Sequence, residues 1–487
     1  MNRPIRALAV ACLVLFLALL ANANYVQFVQ ADSLNAKNGN KRVINEEFSR
    51  DRGPILVDGE PVAESVPTDD EYKYQRTYSD GKLYAPITGY FSYIYGRGGL
   101  EYSENPVLSG SDNRLFVSRV VDVLANKQPK GGSVETTIDP FAQQAAATGL
   151  QRLGPTSQGA VIALRPSTGE VLAMVSQPSY DPSTLANHDF DEVERAWGRL
   201  LNAKSQPMLN RTTQQTLPPG STFKLVTAAA ALENLNLDPK DMIQAGRTLS
   251  FPGISYTLGN YDRGNCGGNR ITFERAMNVS CNVAFGALAG RIGEQNLAEQ
   301  AQAFGFGTDP LSGLPSGPSR FPTGDLEPPQ LAQSGIGQFE VAATPLQMAM
   351  VAAAVGNNGQ VMRPYVVKSV RAPNLRVIEA AQPESLGQAM SGVNSDKLTQ
   401  MLVSTVAKGT AASARIGGID VAAKTGTAQS TRDRPPYAWF VSFAPADNPE
   451  VAVAVVVESS DTARSEIAGG RLAGPIARSV MQAVLDR

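Results

Sequence analysis

Histidine is nearly absent from this sequence: His188 is the only one in 487 residues. A nucleophile activated by imidazole would have to use that residue, and nothing in the sequence places it beside a candidate. His188 therefore reads as structural, and any catalytic base must be another group. Cysteine is also scarce, with Cys12, Cys266 and Cys281 making the full set of three. Cys12 lies inside an apolar run and fits no lipoprotein pattern. No run of lysine and arginine occurs, and the net charge is −2, which argues against a nucleic-acid partner. Internal repeats and long low-complexity tracts are missing too.

The one long apolar run lies at the N-terminus, where Arg3 and Arg6 precede Ala7 to Ala21. With Asn22 to Val26 at the interface it reaches the length of a membrane span. The reading is a cytoplasmic tail at 1–6 and a transmembrane signal anchor at 7–26 of a single-pass protein of the cytoplasmic membrane. The two arginines hold the tail inside, so everything after the anchor lies outside. Ala21-Asn22-Ala23 also resembles a signal-peptidase site, and cleavage followed by export is the rival outcome. In an exported domain Cys266 and Cys281 could bridge, closing a loop worth about 3 kcal/mol. Two unpaired thiols are equally compatible with the sequence.

The length suits two or three domains. A polar linker at Ala31 to Lys41 leads to Arg52-Gly53-Pro54-Ile55-Leu56-Val57-Asp58-Gly59, a strand entering a turn. Between Glu71 and Tyr102 tyrosines crowd without helical period, which predicts a β-rich packing module rather than a catalytic one. Lys127-Gln128-Pro129-Lys130-Gly131-Gly132 is the expected joint between a pedestal at 27–131 and a main domain at 132–487. Beyond it, Asp139 caps a helix with Pro140 at its first position. Gly159 to Leu164 and Val171 to Val175 form a hairpin. Ser221 to about Thr405 reads as mostly helical, with a break at Asn278 to Asn282 and a helix opening at Thr344-Pro345. Strands return at Gly418 to Gln429, Ala438 to Phe443 and Val451 to Val457. A helix interrupted by Gly469-Gly470 ends the chain. Two early strands, a helical insertion and three late strands predict an α/β fold. Its five-stranded, mainly antiparallel sheet is flanked by helices, with an all-helical subdomain inserted.

The chain is organised around Leu217-Pro218-Pro219-Gly220-Ser221-Thr222-Phe223-Lys224. Prolines and glycine force a turn, and Ser221 opens an Ala/Leu-rich helix with Lys224 one turn on, beside its hydroxyl. Ser280-Cys281-Asn282 follows at the break between helical pieces, and Lys424-Thr425-Gly426-Thr427 follows on a strand. Ser79-Asp80-Gly81-Lys82 and Ser111-Asp112-Asn113 match the first two patterns as well. They lie close together among tyrosines and glycines, with no Lys-Thr-Gly strand after them. The set at 221, 280 and 424 has the order and settings of penicillin-recognising serine acyltransferases.

On these motifs the chain resembles the class B penicillin-binding proteins, membrane-anchored D,D-transpeptidases of the bacterial wall. Gly132 to Asp139, Ser167 to Ser176, Ser179-Tyr180-Asp181-Pro182, Thr344-Pro345-Leu346-Gln347 and Lys424 to Ala428 are all similar to that family. A small pedestal, and no repeat domain after the catalytic one, are most similar to its actinobacterial members.

The resemblance implies a role for each residue. Ser221 attacks the carbonyl between two D-alanines, with Lys224 as base, provided that burial and Lys424 keep its amine neutral. Ser280 passes a proton to the leaving nitrogen. Asn282 holds the peptide, Thr425 and Thr427 hold the terminal carboxylate, and Gly426 lets substrate lie against the strand. Backbone N–H groups of Ser221 and Thr427 form the oxyanion hole. No cofactor and no metal ion is expected. The implied partners are a pentapeptide stem ending in D-Ala-D-Ala, an acceptor amine, β-lactams, a membrane-embedded glycan polymerase and division proteins.

A β-lactamase is a rival and needs a deacylating glutamate. Glu294-Gln295-Asn296-Leu297 partly matches such a loop, with Ala298 where asparagine belongs. A D,D-carboxypeptidase that releases its acyl group to water is a second rival, and a non-enzymatic penicillin sensor or division scaffold is a third.

Overall fold

A computed structural model describes residues 2–30, 34, 45, 47–115, 130–261, 263–311, 313–429, 435–462 and 464–487. The expected linker, apart from Leu34, and residues 127–129 of the expected joint lie outside the described residues.

The main sheet has five strands in the order Ala422–Ala428, Tyr437–Ala444, Val451–Ser459, Gln158–Leu164 and Val171–Gln177. Every neighbouring pair is antiparallel, and the late strands join the early hairpin through Val455 opposite Val161. Alternation along the strands feeds two cores. Val161, Val453, Val455 and Phe440 pack against the helices Pro140–Gln151 and Gly469–Leu485. On the other face Ile162, Ala454, Val456 and Trp439 share a core with the Ala-rich helices Lys224–Leu235 and Pro345–Gly356. Both helix starts expected from sequence are capped. Asp139 accepts from the N–H groups of Phe141 and Ala142, and Thr344 accepts from that of Gln347.

The second sheet runs Val377–Ala380, Val367–Arg371, Ser133–Thr136, Ile55–Val57, Glu60–Pro67 and Tyr74–Tyr78. Ser133–Thr136, assigned from sequence to the main domain, pairs in parallel with Ile55–Val57 and antiparallel with Val367–Arg371. The two regions thus share one hydrogen-bonded sheet. Behind it Glu101 is fully buried between Arg52 and Arg76, at 2.7 Å from each. The tyrosine-rich stretch adds helices at Gly81–Thr88, Gly99–Ser103 and Asn105–Leu108 to its short strands. Its aromatic rings pack: Tyr78 and Tyr84 are buried, and Tyr95 stacks on Trp197 at 4.2 Å.

Two expectations need correction. The insertion between the early and late strands is not all helical. It carries the short strands Met242–Gln244, Thr248–Phe251, Ile254–Gly259 and Arg270–Thr272. Thr248–Phe251 and the first five residues of Ile254–Gly259 do alternate polar and apolar residues, the period of two that marks a strand and that the helical reading passed over; the other two strands have only three residues each. Nor do Gly469 and Gly470 interrupt the last helix; they open it. A side chain on Gly469 would stand 2.0 Å from the Trp439 carbonyl oxygen and 2.5 Å from that of Gly426, so only glycine lets the helix abut the sheet.

At the N-terminus, Arg3–Gln27 is one helix of 25 residues that contains an unburied 18-residue stretch of mean hydropathy 2.4, long and apolar enough to cross a membrane.

Candidate active site

Ser221 sits in a single 3₁₀ turn, Gly220–Thr222, and the α-helix begins at Lys224 rather than at Ser221. Gly220 causes the difference. Its φ is +54°, a conformation open to glycine, and a Cβ there would lie 3.0–3.1 Å from Ala428. The Gly220 N–H donates to the Gly337 carbonyl at 2.9 Å, and the Thr222 hydroxyl donates to the Pro219 carbonyl at 2.8 Å. This pins the turn against the strand Ala422–Ala428, with Ser221 half-buried at the cleft and Lys224 fully buried beneath.

Three oxygens surround the Lys224 amine: the Ser280 carbonyl at 2.8 Å, the Ser280 hydroxyl at 3.2 Å and Asn282 Oδ1 at 2.7 Å; the neutral amine has two hydrogens and a lone pair to share among them. Among the described residues no hydrogen bond joins it to the Ser221 hydroxyl, although the helical spacing predicts that contact. The break at 278–282 explains where the amine goes. Ser280 has φ +55°, which turns its carbonyl inward. The helices Phe273–Asn278 and Asn282–Ile292 flank it, as the sequence predicts.

Lys424 lies on the strand, buried, and donates to the Ser280 hydroxyl at 2.8 Å and to the Thr425 carbonyl at 2.8 Å. Burial pushes its amine down to about 7. Burial, and then the charge of Lys424, hold Lys224 well below the ordinary lysine range. One hydroxyl thus stands between two amines that both resist protonation.

Ser221, Ser280, Asn282, Thr425 and Thr427 line one cleft of about 800 Å³. Gly426 does not line it. Its missing side chain would meet Thr222 Cγ2 at 2.9 Å, Trp439 Cβ at 2.9 Å and the Pro219 oxygen at 3.0 Å. Glycine there makes room for the nucleophile turn, whereas the sequence reading gave that room to substrate.

Residues that no motif marks line the cleft as well: Tyr256, Tyr261, Arg263, Thr410 and Arg471. Three links fix the strand Ile254–Gly259 and the loop after it to the 278–282 break. Asn282 Nδ2 donates to the Gly259 carbonyl at 3.2 Å, Asn260 Oδ1 accepts from the Val283 N–H at 3.1 Å, and Cys266 is disulfide-bonded to Cys281. No carboxylate stands among the lining residues described.

The decoys lie elsewhere. Lys82 is exposed, unlike the buried Lys224 and Lys424. Glu294 accepts from the N–H groups of Gly324 and Leu326, at 2.7 Å each, and lines a different cavity. His188 pairs with Asp70 and packs on Tyr72 at 4.9 Å.

Residues 159–482 match the penicillin-binding protein transpeptidase domain. The chain belongs to the penicillin-binding protein transpeptidase family. The class B membership expected from the motifs is met, since residues 52–134 also match the penicillin-binding protein A dimerisation domain. Among curated relatives, peptidoglycan D,D-transpeptidase PbpA of Mycolicibacterium smegmatis is 43% identical over all of this chain and 99% of its own length. The protein of that name from Mycobacterium tuberculosis is 40% identical with the same coverage. The structure of penicillin-binding protein A from M. tuberculosis, a ceftriaxone acyl-enzyme complex, superposes with a TM-score of 0.87 at 40% identity. That match covers 91% of this chain and 100% of the other. A transpeptidase domain from Eggerthella lenta gives a TM-score of 0.77 at 30% identity, covering 90% of this chain and 99% of its own.

Proposed function

We propose that the protein is a peptidoglycan D,D-transpeptidase that cross-links stem peptides through an acyl-enzyme on Ser221 during wall synthesis at division. The observation that carries this reading is the Ser280 hydroxyl, held between the amines of Lys224 and Lys424 in the cleft that Ser221 lines.

In the first half-reaction neutral Lys224 takes the proton of Ser221 as its oxygen attacks the carbonyl between the two D-alanines. The oxyanion is held by the N–H groups of Ser221 and Thr427, a kind of donor worth about 10²–10³ in rate. The peptide C–N bond breaks as the proton passes through Ser280 to the leaving nitrogen, and D-alanine departs. Asn282 holds the peptide; Thr425 and Thr427, with the field of Lys424, hold the terminal carboxylate. In the second half-reaction an acceptor amine attacks the ester, and its proton returns the site to its first state. β-Lactams acylate Ser221 by the same route. The position of Glu294 in another cavity favours transfer over lactam hydrolysis.

Residues 7–26 anchor the protein in the cytoplasmic membrane, with 27–131 and 132–487 outside as pedestal and catalytic domain. A membrane-embedded glycan polymerase and division proteins are its partners.

A fluorescent penicillin should label the wild-type protein covalently and leave Ser221→Ala unlabelled; equal labelling removes Ser221 as the nucleophile. Lipid-linked pentapeptide supplied with a polymerase should give cross-linked dimers, whereas tetrapeptide alone would mean trimming.

A further inference from the structure

The Thr410 hydroxyl stands 2.7 Å from that of Thr425, and the Thr410 N–H donates to the Asn278 carbonyl at 3.1 Å. One residue outside every motif therefore touches the strand carrying Lys424 and the segment leading into Ser280. We propose that Thr410 is a positioning residue, orienting the Thr425 hydroxyl so that its hydrogen points into the cleft at the terminal carboxylate of the substrate. This rests on the reading of Ser221 as the acylated residue.

The surroundings of Thr410 are built rather than incidental. Gly409 precedes it, and a side chain there would lie 2.4 Å from the Asn278 oxygen. A side chain on Gly470 would lie 2.7 Å from the Thr410 oxygen and 3.3 Å from Thr425 Cγ2. Two glycines thus leave the space in which Thr410 sits. Asn278 is itself buried, and its side chain is held by two hydrogen bonds. Its Nδ2 donates to the Ser404 hydroxyl at 2.9 Å, and its Oδ1 accepts from the Thr405 hydroxyl at 3.1 Å. The carbonyl that anchors Thr410 cannot drift.

Hydroxyl arithmetic gives the arrangement a consequence. Two hydroxyls at 2.7 Å share one hydrogen, and each has only one to give. If Thr425 donates to Thr410, it presents lone pairs to the cleft and repels a carboxylate. If Thr410 donates, Thr425 keeps its hydrogen for the ligand, and the chain from Thr410 through Thr425 to the carboxylate polarises in one direction. An anionic ligand selects the second state. Thr410 acts only through Thr425, so its effect should follow the ligand's charge.

The test compares two thioesters, an N-acyl-D-alanyl-thioglycolate with a free carboxylate and its methyl ester, on the wild-type protein, Thr410→Val and Thr410→Ser. Valine keeps the shape and the N–H bond to Asn278 and removes only the hydroxyl. The expected result is about a tenfold fall in kcat/KM for the free acid with Thr410→Val, mostly in KM, from one lost hydrogen bond. The methyl ester should be unaffected and Thr410→Ser close to wild type. Equal loss on both thioesters with a lowered melting temperature would make Thr410 merely structural and overturn the proposal, as would no loss on either. Ser221→Ala run alongside keeps the two readings apart: surviving turnover there removes both, whereas an unselective Thr410→Val removes this one alone.

Discussion

Lys424 Nζ lies 2.8 Å from the Ser280 hydroxyl, closer than Lys224 Nζ at 3.2 Å. The lysine on the strand, rather than the one on the nucleophile's helix, holds the shorter bond to the hydroxyl between them. That leaves Lys224 engaged chiefly by the Ser280 carbonyl and by Asn282, bonds it must loosen to reach Ser221.

The pair predicts a pH dependence. Both amines are pushed down by burial, Lys424 to about 7 from an ordinary 10.5. Acylation by penicillin should therefore rise with pH along a limb lying below the usual lysine range. Lys424→Met should shift that limb upward only in part, because burial is the larger cause at Lys224. The sign for stability follows from proton counting. Between about 7 and 10.5 the unfolded chain binds more protons at Lys424 than the folded one, so stability rises with pH across that window. The cost of burying the amine is full below it. Lys424→Met should thus gain most over wild type near pH 7 and lose that advantage by about pH 10, read by thermal melts. A difference that does not vary with pH would contradict this account.

Gly426→Ala distinguishes packing from substrate room. The added methyl must displace Thr222, Trp439 or the Pro219 carbonyl, so it should cost about 1–3 kcal/mol by overpacking. Because Thr222 belongs to the turn carrying Ser221, penicillin acylation should slow by about 10²-fold, given how steeply rates respond to a misplaced nucleophile. An unchanged melting temperature with a defect only for large peptides would restore the substrate reading.

Glu101→Gln should be among the most destabilising changes outside the cleft. Its carboxylate is held below the ordinary range by Arg76 and Arg52, against the opposing cost of burial. Removing the charge leaves two buried guanidiniums facing each other, a loss of about 3–5 kcal/mol. Thermal melting should fall steeply while the acylation rate of the folded fraction holds. A shift worth less than about 1 kcal/mol would show that the arginines find other partners.

Much of this architecture is legible in the sequence because strong local signals agree with one another. Asp139-Pro140 and Thr344-Pro345 mark helix starts by a capping oxygen and an imino acid. The apolar run Val451 to Val457 marks a strand buried on both faces. The three motifs are spaced so that one cleft gathers Ser221, Ser280, Asn282, Thr425 and Thr427. What the sequence hides depends on long-range neighbours. Thr410 is an ordinary threonine until Asn278 and Thr425 are seen beside it. Gly469-Gly470 looks like a helix breaker until the carbonyls of Trp439 and Gly426 are found against it. The Lys224 amine is drawn away from Ser221 by a backbone oxygen, and only the φ of Ser280 reveals that.

The strand Ser133–Thr136 runs parallel to Ile55–Val57 and is clasped on its other side by Val367–Arg371. A tug on the chain ahead of Arg52, directed along these strands, meets them in shear, where several ladder bonds must fail together. The N-terminal region is therefore built into the sheet rather than hung from it, and cutting the gene at codon 132 would leave Ser133–Thr136 with a raw edge.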